Sequence, residues 1–61
     1  MPEISRALEQ KHWDRAFVLV SEYAAGPRRP LVAAMFLLES GVPVTELPRG
    51  AARAIVEALA A

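Results

Sequence analysis

Along the first two dozen residues, apolar side chains return every three or four positions. Ile4, Leu8, Ala16, Leu19 and Tyr23 form one row, and Trp13, Phe17, Val20 and Ala24 form the row beside it. That period matches a helical turn and predicts a helix over about 2–25 with a broad apolar face. Pro2 stands where a first-turn proline loses no hydrogen bond, and Glu3 meets the positive end of the helix dipole. The rows change phase near Lys11 and His12, so the alternative is a short helix, a turn at residues 10–12 and a second helix from Trp13. Gly26, Pro27 and Pro30 end the segment, because glycine takes the left-handed cap conformation and each proline biases its predecessor away from helix.

The next stretch, PLVAAMFLLESG, holds no charge or amide from Leu31 to Leu38. A helix over about 30–40 is expected, opened by Pro30 and capped by Gly41. Leu31, Val32, Met35, Phe36 and Leu38 leave only Ala33 and Ala34 as a thin face, so this helix is expected to lie between the other two or in an interface. A buried strand competes for so short a run. The composition Ala-Ala-Met-Phe-Leu-Leu-Glu favours helix, and no other segment offers a strand to pair with.

VPVTELP then reads as an extended link in which Pro43 holds Val42 out of the helical region. Thr45 is placed to cap a last helix over about 46–60, with Pro48 in its first turn. Leu47, Ala51, Ala52, Ile55, Val56 and Leu59 form its apolar side, and Arg49, Arg53 and Glu57 lie opposite. The expected architecture is all-α: a compact three-helix module, or four helices if the first breaks near residues 10–12, in a single domain over residues 1–61.

Composition adds a constraint. A chain of 61 residues buries only about 60% of the surface its unfolded form exposes, which leaves little margin without efficient packing, a staple or a partner. Cysteine is absent, so neither a disulfide nor a thiolate metal site can serve as the staple. Hydrophobic residues make up 54% of the chain, slightly above the usual range, and much of the excess is alanine. Seven basic and seven acidic side chains balance to zero net charge, so no global field steers the protein toward nucleic acid or acidic lipid. The opening MPEISRALEQ lacks the pattern of a secretory signal. The Leu31–Leu38 run is also short of the roughly 20 residues that cross a bilayer. A cytoplasmic protein without membrane insertion is expected.

Candidate chemistry is sparse. The only histidine is His12, and Ser21 lies about 13 Å from it along a continuous helix, too far for a nucleophile and its base. One histidine with scattered carboxylates makes no first shell for zinc, and no oxygen-rich loop suits calcium. Neither enzymatic activity, a metal nor a cofactor is expected. The arginines invite a helix-turn-helix reading: in ESGVPVTELPRG, Gly41 and Leu47 occupy turn-like and anchoring positions. Arg49 and Arg53 would then lie on the recognition helix, with Arg28 and Arg29 available for phosphate. Pro43 and Pro48 disturb that turn, and Glu39, Glu46 and Glu57 offset the basic stripe.

ALEQKHWDRAFVLVSEYAAGP resembles the second helix of a tetratricopeptide-type hairpin. Trp13 stands in the aromatic position, Ala16 in the tight-packing position, Val20 and Ala24 follow, and Pro27 closes the segment. The resemblance implies stacked helix pairs that bind peptides or proteins. It covers about a third of the chain, with a truncated preceding helix and compressed spacing to Pro27, whereas repeat arrays need several units.

The expected function is therefore a small non-enzymatic protein–protein interaction or oligomerisation module, as a subunit, adaptor or inhibitor of a larger protein or as a homodimer or higher oligomer. A helix-turn-helix-like DNA-binding protein is the alternative. Trp13, Phe17, Tyr23, Met35 and Phe36 are the interface candidates, because aromatic and methionine side chains dominate binding hot spots. The bulk of Phe17 and Phe36 also suits a core, while Trp13 and Tyr23 carry polar handles suited to a wet edge.

Overall fold

In the computed structural model, which describes residues 2–61, the chain forms four α-helices and no strand among the described residues. They are α1 (Pro2–Glu9), α2 (Trp13–Tyr23), α3 (Arg29–Glu39) and α4 (Arg49–Ala60), with a 3-10 turn at Val44–Glu46. No helix among the described residues is long and apolar enough to cross a membrane.

The first segment is two helices rather than one over 2–25, and the break falls where the apolar rows change phase. Its geometry is a complete C-terminal cap. The His12 N–H donates to Ala7 O at 2.8 Å and the Lys11 N–H to Leu8 O at 3.1 Å. That pair of bonds closes a helix when the residue after its last turn is left-handed. Lys11 takes that conformation, at φ 59°. The same closure ends α3, where Val42 N–H donates to Leu37 O and Gly41 N–H to Leu38 O, each at 3.1 Å. Here the left-handed residue is Gly41, at φ 96°, and the apolar contact that accompanies such caps is supplied by Leu37 and Val42, both buried.

The final helix starts later than about residue 46. Thr45 does not cap it but sits in the 3-10 turn, and Pro48 precedes the first helical residue, Arg49. Leu47 lies outside the helix yet packs on the core beside half-buried Ile55, whereas Val56 and Leu59, expected to face inward, are exposed. The anticipated surface pair does form, with Arg53 Nε 3.2 Å from Glu57 Oε2.

Helix α3 packs against both α2 and α4, and α1 packs against α2. The interior is made largely of alanine: Ala7, Ala16, Ala33, Ala34 and Ala51 are buried with Ile4, Val20, Leu37 and Val42. Among large side chains, Leu37 alone is fully enclosed. Small residues let helix axes approach closely and bury backbone-adjacent surface. Gly50 extends the same device, since a Cβ there would lie 2.9 Å from Cε2 of Phe17. The result is a flattened body with principal extents of 33 × 26 × 16 Å.

Two outcomes follow from this packing. Lys11→Gly removes the cost of a left-handed side-chain-bearing residue, and we expect about 1 kcal/mol of added stability, a rise of roughly 4–8 °C in Tm by circular dichroism. An unchanged or lower Tm would mean that the cap does not hold the left-handed turn. Gly50→Ala improves helix propensity yet overpacks Phe17. It should destabilise the native protein but stabilise a Phe17→Leu background, a change of sign that denaturant titration of the four proteins measures.

Candidate functional site

The orientation of α3 decides which residues are available for contact. Ala33, Ala34 and Leu37 turn inward. Val32, Met35 and Phe36 therefore turn outward, at 49%, 48% and 40% exposure. The helix lies against both α2 and α4, and the side that was expected to be covered is open to solvent. The inward side was selected by fit rather than by bulk, because Ala33 and Ala34 sit against Val20 and Ala16 within the alanine-lined interior.

Around Val32 and Phe36 the surface is shallowly grooved on both sides. One groove continues over α1 and α2, lined by Ile4, Val20, Tyr23 and Ala24. Tyr23 is 60% exposed there. The other groove runs along α3 between Arg28 and Glu39, with Leu31 and Met35 in its floor and walls. Tyr23, Met35 and Phe36, three of the interface candidates, thus belong to one apolar face. Phe17 does not: it is half-buried and joins both parts of the core. Trp13 stands apart at the start of α2, half-buried, with its indole N–H donating to Glu46 Oε1 at 3.3 Å. That bond ties α2 to the 3-10 turn and leaves Trp13 a bracing role between two segments.

A second concavity lies beside Trp13 and is polar. Lys11, His12, Asp14, Arg15, Glu46 and Arg49 contribute to its walls. Positive and negative groups alternate around it, and it is open to solvent, so it has neither the enclosure nor the single sign of charge that a catalytic or anionic-ligand site uses. His12 is the exposed residue preceding α2. Ser21, in the third turn of that helix, has its hydroxyl buried with no partner among the protein groups. Nine residues of helix keep the two about 13 Å apart. No group of three potential metal-binding side chains is found together among the described residues.

The four arginines of the helix-turn-helix reading are not brought to one surface. Arg28 and Arg29 open α3, with Arg28 close to Ala58 and Ala61 at the far end of α4. Arg49 begins α4 and lines the polar concavity with Trp13. The length of α4, about 18 Å, therefore separates the two groups. Arg53, between them, is paired with Glu57.

Comparison with family models, with curated proteins and with solved structures finds no match to this chain. Of the residues that carry the tetratricopeptide-like spacing, Ala16 is fully buried and Trp13 is half-buried.

Sequence reasoning passed over two residues of the apolar face, Val32 and Leu31, because it ranked candidates by aromatic and methionine content. Alanine content alone does not give the signal, since Ala52 and Ala58 of α4 are exposed while Ala33, Ala34 and Ala51 are buried.

Neighbouring substitutions on α3 should separate sharply. Leu37→Ala opens the core and is expected to cost about 2–5 kcal/mol. Val32→Thr and Met35→Gln, on the exposed face, should each stay within about 0.5 kcal/mol of the parent. Chemical denaturation monitored by circular dichroism gives these values, and a large loss at Val32 or Met35 would place the outward face inside.

Proposed function

We infer that the protein is a small, non-enzymatic protein–protein interaction module whose contact surface is the face made by Tyr23, Leu31, Val32, Met35 and Phe36. One observation carries this reading: Val32, Met35 and Phe36 of the central helix point to solvent while Ala33, Ala34 and Leu37 fill the core. Close packing on alanine fixes that arrangement, and it leaves unburied the transfer free energy of Val32, Met35 and Phe36, which a partner covering the face would recover. Contiguous exposed apolar surface of this kind marks interaction sites in soluble proteins.

The total surface supports the same reading. The accessible area is 4439 Å², whereas the usual scaling for a folded monomer of this size gives about 3,900 Å². The excess, on the order of 500 Å², reflects the flattened shape and is comparable to one side of a small interface. A protein partner accounts for these features better than nucleic acid does, because the net charge is zero and Arg28 and Arg29 lie at the opposite end of α4 from Arg49.

Site-specific photocrosslinking tests the surface. Benzoylphenylalanine in place of Phe36 should yield a discrete adduct in the cells that produce the protein, and the adduct should vanish when Val32→Asp is added. The same probe at exposed Glu22 should yield none. Equal labelling from both positions, or no adduct from position 36, would remove the interaction reading.

A further inference from the structure

Resting on that reading of the α3 face, we propose that its occupant is a second copy of this chain, docked through α3 against α3 in antiparallel two-fold symmetry. The argument is the order of side chains along the groove. Arg28, Leu31, Val32, Met35, Phe36 and Glu39 all line it. Arg28, Val32, Met35 and Glu39 follow one another at spacings of four, three and four, the seam along which two helices pack with a shallow crossing angle.

That seam is its own complement when reversed. With a two-fold axis at the level of Ala33 and Ala34, Arg28 of one copy faces Glu39 of the other, Leu31 faces Phe36, and Val32 faces Met35. Each pairing occurs twice, as an isologous interface requires. The charged ends stand about 16 Å apart along the helix and are free to be used. The ion pair found among the described residues is Arg53 with Glu57, so neither Arg28 nor Glu39 is engaged. A parallel arrangement would instead oppose Arg28 to Arg28 and Glu39 to Glu39, and like charges across an interface disfavour the pairing.

One helical seam plus the rim contributed by Tyr23 is smaller than a standard interface, so the dimer is weak, with Kd on the order of micromolar to hundreds of micromolar. Its rim charges set the orientation rather than most of the affinity.

Sedimentation equilibrium of the 61-residue chain from about 5 to 500 µM, a range that brackets such an affinity, tests the proposal, with circular dichroism confirming the fold of each variant. The parent should pass from monomer to dimer. Arg28→Glu places two acids opposite one another at both ends, and Glu39→Arg does the same with two bases. Each should weaken the dimer by about tenfold, the size expected when two surface ion pairs turn repulsive. Arg28→Glu with Glu39→Arg in one chain should restore the parent affinity, and so should an equimolar mixture of the two single variants. In a parallel dimer the single variants would be no weaker than the parent.

A monomer across the whole range overturns self-docking, and a dimer indifferent to these reversals overturns the α3 seam. If position 36 still crosslinks to a different protein while the chain stays monomeric, the interaction reading stands and the choice of partner falls. Failure of both experiments removes both.

Discussion

Two helices can approach only as closely as the side chains between them permit, and in this protein that separation is set by alanine. Ala7, Ala16, Ala33, Ala34 and Ala51 occupy the contact surfaces of all four helices. Gly50 lets the ring of Phe17 close to the backbone of α4. Close approach allows a chain of 61 residues to exclude water from its centre with one large side chain, Leu37, fully enclosed. It also fixes everything outside. Once α3 turns its small residues inward, the 3.6-residue period leaves Val32, Met35 and Phe36 nowhere to go but the surface.

The helices and their ends were largely legible in the sequence. The phase change at Lys11 and His12 marked the break between α1 and α2, Gly41 marked the cap of α3, and the Arg53–Glu57 spacing marked a surface pair. The left-handed turn at Lys11 carried no glycine to announce it, so a continuous first helix was the leading reading and the break only the alternative. The start of α4 was misplaced because Thr45 and Pro48 suit a helix N-terminus as well as the 3-10 turn and extended joint they form.

The facing of α3 was the part that local reasoning left open. Ranking side chains by transfer free energy puts Phe36 inside and Ala33 outside, and for an isolated helix against a featureless core that ranking is sound. It fails where neighbouring helices also present alanine, because a bulky residue would hold the axes apart and expose the small ones on every partner. The face that results was therefore only partly anticipated: Tyr23, Met35 and Phe36 belong to it, while Phe17 went to the core and Trp13 to a brace with Glu46.

Each substantial helix pairing in this fold joins consecutive elements: α1 with α2, α2 with α3, α3 with α4. The two caps that end α1 and α3 are themselves closed by bonds spanning a handful of residues. Little loop-closure entropy is then lost before native contacts form, and helical proteins of such local topology reach their native state in about microseconds to milliseconds. The interval in which Leu37 and Val42, buried in the finished fold, are exposed on an incompletely folded chain is correspondingly brief.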